Sequence, residues 1–109
     1  MYFYKRLYVS DSLKKSRRKV CWNLKHNRGQ ADIYVISLAA GKDLFDVFHC
    51  AVLQQKEFPR KELRVMGIAG GREEALKLCS RMVSDFHAKY DILRFKELFP
   101  VREEKNFRR

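Results

Sequence analysis

Residues 12–28, SLKKSRRKVCWNLKHNR, set the only tryptophan of a 109-residue chain inside a run of lysines and arginines. Wound as an α-helix at about 100° per residue, the run spreads Lys14, Lys25, Arg18, Trp22, Lys15, His26 and Lys19, in that order, over roughly 140° of its surface. Leu13, Val20 and Leu24 close a narrow apolar stripe opposite. Lysines and arginines neutralise phosphates, and a flat indole stacks on bases of any sequence. The candidate binding set is therefore Lys14, Lys15, Arg18, Lys19, Trp22 and Lys25, and its natural ligand is an RNA or DNA backbone. The alternative is a solvated basic face with Trp22 partly covered by the C-terminal helix or a second subunit. The first 30 residues hold nine Lys/Arg against the single acid Asp11, so they carry +8 of the formal +11.

Two other patterns invite chemistry. Gly67-Ile-Ala-Gly70-Gly71 precedes an expected helix, and such a junction can offer backbone N–H groups to a phosphate. It lacks the GK[ST] of a phosphate-binding loop, and Glu73 and Glu74 in the first turn already complement the helix dipole and repel an anion. A tight turn is the simpler reading. His49-Cys50 are neighbours on an expected strand and so point to opposite faces. Cys79 and His87 are eight residues apart on one helix, about 12 Å along its axis, so they do not meet. No paired carboxylates, Ser-His-Asp spacing or metal-ligand cluster stands out, so the chain reads as non-enzymatic, with no cofactor and no metal. Cys21, Cys50 and Cys79 are an odd number without CxxC spacing, and each falls on an apolar face as a small hydrophobe.

Composition sets the class. With 46% apolar and 34% charged residues the chain is globular, and its length supports one core. A formal charge of +11 predicts affinity for polyanions before any site is argued. MYFYKRLYVS has cations within its apolar stretch and no small-residue cleavage site, so it is not read as a signal peptide. The longest nearly uncharged run, Ile33 to Gly41, is about half a membrane span. The expected address is cytoplasmic, with no membrane association.

The elements follow from periodicity. Tyr2–Val9 alternates as a strand, with Tyr2, Tyr4 and Tyr8 on one side as packing or as a wet aromatic surface. Ser10, Asp11 and Ser12 are candidate N-caps of the basic helix, and Gly29 its C-terminal glycine. Residues 31–39 and 44–53 form a hairpin turning at Gly41-Lys42. Leu38 then pairs with Phe45, Ile36 with Val47 and Tyr34 with His49, which leaves Ser37 and Asp46 together on the other face. After the polar loop 54–62, residues 63–69 form a third strand of an antiparallel meander. Arg72–Tyr90 is the strongest helix, with Ala75, Leu76, Cys79, Met82, Val83, Phe86 and Tyr90 as its apolar face. Its polar side offers Glu73–Lys77, Arg81–Asp85 and Asp85–Lys89 as i,i+4 pairs. Asp91 begins a short C-terminal helix. The expected fold is an α+β two-layer sandwich of order β-α-β-β-β-α, with both helices on one face. It forms one domain over 1–99, followed by a charged, mobile tail at 100–109.

Residues 12–86 thus run α-β-β-β-α and enter the last helix through GIAGGREEALKLCSRMV. That order resembles double-stranded-RNA-binding domains. The family's lysine cluster at this point corresponds to Arg72, Glu73 and Glu74 here, and the loop between the first two strands is Ala40-Gly41-Lys42-Asp43 in place of the family's histidine-bearing signature. No residue is carried over. Across the whole chain, YVISLA, AVLQQK and VMGIAGG are similar to an uncharacterised family of small bacterial proteins, which implies a bacterial cytosolic origin and no known activity. The expected function is a small basic binding module that contacts nucleic acid through its first helix. The alternative is a protein-interaction or structural module, its basic face docked on an acidic protein surface or merely solvated.

Overall fold

A computed structural model of the chain describes residues 1–39, 45–89 and 107–108. Strand β1 is Tyr2–Val9, and a 3-10 turn at Asp11–Ser16 leads into α1, Arg17–Lys25. Strands β2 (Ile33–Leu38) and β3 (Phe45–His49) follow, then 3-10 turns at Cys50–Gln54 and Arg60–Glu62. Strand β4 is Arg64–Gly70, α2 is Arg72–Lys89, and β5 is the two-residue Phe107–Arg108. The protein is a small α+β domain, and its main elements follow the order β-α-β-β-β-α.

The β2–β3 hairpin has the register that its apolar alternation requires. Leu38 faces Phe45, Ile36 faces Val47, Tyr34 faces His49 and Ser37 faces Asp46. The Gly41-Lys42 turn lies outside the described residues. β3 is shorter than the reading to Leu53: at His49 the ring Nδ1 accepts the Ala51 N–H at 3.0 Å, and the chain coils into a 3-10 turn. That turn buries Cys50 and Leu53, which a continuing edge strand would leave half in water.

The meander is corrected. The sheet order is β3-β2-β4-β1-β5, so β4 pairs antiparallel with β2 and parallel with β1. Both β3 and β4 run antiparallel to β2, so they are parallel to each other and cannot be joined by a tight turn. A parallel connection needs roughly a dozen residues, and the segment from Cys50 to Leu63 supplies them. Its Cys50, Leu53, Phe58 and Leu63 pack with α1 beneath the sheet.

The two-layer arrangement is corrected as well. Leu13, Val20 and Leu24 pack with Phe3, Leu7, Ile33, Val35, Val65 and Ile68. Ala75, Leu78 and Met82 pack with Ile36, Met66 and Ala69, joined by Tyr2, Tyr4 and Tyr8. The helices therefore cover opposite faces of the sheet, and the tyrosine face of β1 is packing for α2. Val35, Ile36, Val65, Met66, Ile68 and Ala69 are all fully buried, as expected of central strands covered on both sides. A bulge in β4, where Met66 lies between the partners of Ile36 and Ser37, lets Met66 and Gly67 both face α2.

α2 turns inward the expected face at Ala75, Cys79 and Met82, with Leu78 taking the place expected of Leu76. Leu78 is buried, whereas Leu76 is 52% exposed. The side chains of Phe86 and Lys89, Tyr90, the helix expected from Asp91 and most of the tail lie outside the described residues. Within the tail, Phe107 and Arg108 pair antiparallel with Tyr4 and Phe3.

Candidate functional site

The basic segment does not form one continuous α-helix. Asp11–Ser16 is 3-10 and only Arg17–Lys25 is α-helical. A 3-10 residue advances about 120° instead of 100°, so Lys14 sits roughly 40° further from Trp22 than on a uniform wheel. Ser10 stands at the N-cap position, yet its hydroxyl accepts the Gly70 N–H at 3.0 Å, so it makes no cap to its own helix. At the other end the left-handed residue is Asn27 (φ 55°), in place of the expected Gly29. Arg28 N–H reaches Asn23 O at 2.8 Å and Asn27 N–H reaches Leu24 O at 3.3 Å, which closes the helix in a Schellman motif. Arg60 donates from the crossover segment to the carbonyls of Leu24 and Lys25, adding a cation at the negative end of the dipole.

This frame holds Trp22 outward. The indole is 47% exposed, while Val20 and Leu24 on the opposite stripe are buried. His26 stacks on it with ring centroids 4.0 Å apart and planes at 23°. The imidazole Nδ1 lies 2.8 Å from Trp22 O, which locks that rotamer. The Arg28 guanidinium sits 4.8 Å from the indole centroid. Lys15, Arg18, Lys19 and Lys25 are exposed on the same helical segment. Lys14 is also exposed but is ion-paired with Asp11 at 3.0 Å, and it lines a groove with Arg6, Arg17 and Arg81. Of the six residues selected from sequence, five share the stretch around Trp22 and Lys14 turns to a different surface. Arg28 was missed because it follows the helix, where a wheel assigns no direction.

The glycine junction is a packing device. The Gly70 N–H is already taken by Ser10 Oγ, and a Cβ on Gly70 would collide with Ser12 Oγ. Ser12 in turn donates its hydroxyl to Glu74 at 3.0 Å and its backbone N–H to the same carboxylate at 3.4 Å. The Ser12 hydroxyl is the main reason that the Glu74 carboxyl titrates below its usual range. Gly71 (φ 119°) turns the chain into α2. These contacts latch the start of α2 to the turn before α1, and the donor that a phosphate would need at Gly70 is spent on Ser10.

The thiols are separate. Cys50 is buried and donates to Gln30 O at 3.1 Å. Burial pushes the Cys21 and Cys79 thiols up, which disfavours the reactive thiolate. Among the described residues, no three His, Cys, Asp or Glu side chains gather as a metal site. Among the same residues, no helix is long and apolar enough to cross a membrane. Comparison of the chain with protein-family models, with curated proteins and with solved structures yields no match.

Proposed function

We propose that α1 and the 3-10 turn before it form a polyanion-binding face, with Lys15, Arg18, Lys19 and Lys25 contacting the phosphates of a nucleic acid and Trp22 stacking on a base. The observation that carries this reading is the 47% exposure of Trp22 on a helix whose Val20 and Leu24 are buried. A large aromatic left in water is otherwise a poor use of apolar surface. An incoming base would share the ring with His26 and displace Arg28, whose chain lies beyond the helix end and is exposed. Lysine and arginine contacts to phosphate carry no base information, so binding is weak and sequence-tolerant.

A fluorescence titration with mixed-sequence single strands tests this. Four neutralised phosphates predict a slope of log K against log salt near about −3. Trp22→Ala should weaken single-strand binding by about 1–3 kcal/mol, and charge reversal at Arg18 and Lys19 should flatten the salt slope. Absence of binding at low salt, where electrostatics are strongest, would refute the proposal. The basic face would then serve an acidic protein surface or solvation alone.

A further inference from the structure

At the β1 side of the sheet, between the two helical layers, the fold gathers four cations from distant parts of the chain. Arg6 comes from β1, Lys14 from the 3-10 turn, Arg17 from the first turn of α1 and Arg81 from α2. With Leu7, Tyr8 and Val9 they line a groove of about 410 Å³. Among the described residues no carboxylate lines it. The described acids nearest it already have partners, two of them on residues of the groove. Asp85, the expected i,i+4 partner of Arg81, accepts the Tyr8 hydroxyl at 2.8 Å. Asp11 pairs with Lys14, and Glu74 accepts from Ser12. Arg81 stands over the Tyr8 ring, 5.7 Å from its centroid. Among the described residues Arg6, Arg17 and Arg81 make no ion pair.

Four like charges on one concave wall repel one another and concentrate a positive potential inside it, and a bound polyanion relieves both. We propose that this groove binds a cluster of phosphates, either the polyphosphate of a small ligand or the phosphorylated end of a nucleic-acid strand. The guanidinium forks of Arg6, Arg17 and Arg81 match phosphate oxygens two at a time. Lys14 exchanges Asp11 for the ligand, a small loss because that pair is 65% and 90% exposed on its two sides. A single carboxylate would leave most of the positive charge uncompensated. The volume falls within the roughly 300–1,000 Å³ usual for small-ligand sites. The groove is distinct from the Trp22 face, because on α1 Arg17 lies about 140° around the helix from Trp22.

The test is calorimetric titration of the full chain at low salt with three probes. These are tripolyphosphate, a 5′-triphosphorylated single-stranded RNA oligomer and the same oligomer with a 5′-hydroxyl. Tripolyphosphate should bind saturably, with affinity falling about tenfold or more in Arg6→Gln and Arg81→Gln and unchanged in Trp22→Ala. Arg81→Lys, which keeps the charge and loses the fork, should fall between. A triphosphorylated strand that binds more tightly than both other probes identifies a nucleic-acid end as the source. Free tripolyphosphate binding at least as well as the strand identifies a small ligand. Unsaturable binding, affinity unchanged in both glutamine variants, or citrate binding as tightly as tripolyphosphate would overturn the proposal. Loss of binding in Trp22→Ala with retention in Arg81→Gln would also overturn it, since it would move the anion to the α1 face.

Discussion

Met82 and Leu76 lie on the same helix and should respond oppositely to truncation. Met82 is fully buried between α2 and the sheet, and its sulfur would stand 3.3 Å from a Cβ placed on Gly67. Met82→Ala removes three heavy atoms from a site closed by Ile36, Met66, Ala69, Ala75 and Leu78. At about 0.8 kcal/mol per methylene-sized group the transfer loss is about 2 kcal/mol. A residual cavity of roughly 60 Å³, at about 24 cal/mol per Å³, adds about 1.5 kcal/mol. The expected loss is thus about 3–4 kcal/mol, or a fall of about 10–15 °C in Tm for a domain of this size. Leu76 is 52% exposed, so Leu76→Ala forfeits at most about 1 kcal/mol and leaves no cavity, because solvent fills the space. Urea unfolding followed by circular dichroism reads both, with a shifted midpoint at constant slope marking a pure stability change. Equal losses at the two positions would show that α2 packs on the sheet through another face.

The remaining predictions rest on the contacts between layers. Gly70→Ala places a Cβ against Ser12 Oγ and should destabilise by about 1–3 kcal/mol as overpacking, read by thermal melting; Ser12→Gly in the same chain should recover part of it, and strict additivity would remove the steric explanation. Burial and then the bond to Asp85 raise the Tyr8 phenol to about 12 from an ordinary 10.0. A raised folded-state value means that its contribution is complete below about pH 10 and is lost as pH rises through about 12. Ultraviolet titration should show a late phenolate step that Tyr8→Phe removes; a Tyr8→Phe titration curve unchanged from that of the parent protein would refute the assignment. With burial raising both thiols, Cys21 and Cys79 should alkylate more slowly in the native protein than in urea at neutral pH, by mass spectrometry, and equal rates would contradict their packing.

Much of the local structure was legible because it depends on near neighbours. β1 came from alternation over Tyr2–Val9, and the β2–β3 register followed from matching apolar faces, since a slip of one residue would bury Asp46. The Glu73–Lys77 pair appears at 3.4 Å, as helical spacing predicts. Arg81–Asp85 has the same spacing but was not realised, because Tyr8 offers Asp85 a hydroxyl from another layer. The exposed Trp22 was legible as one residue within a cationic run. Its partner Arg28 was not, because a residue past a helix end has no periodic direction.

By itself the sequence determined the element order, the hairpin pairing, the charge concentrated in the first 30 residues and the apolar stripe that turns Trp22 outward. Each of these is set by interactions within one element or across one turn. Tertiary structure alone decided that β4 lies between β2 and β1, that the helices cover opposite faces, and that Arg6, Lys14, Arg17 and Arg81 share one groove. The unbroken apolar runs of β2 and β4 allow burial on both sides but do not say which helix takes which face. That choice depends on the crossover from Cys50 to Leu63 passing beneath the sheet with α1, which leaves the other face to α2. Burial summed over segments far apart in the chain settles it, and no local spacing encodes that sum.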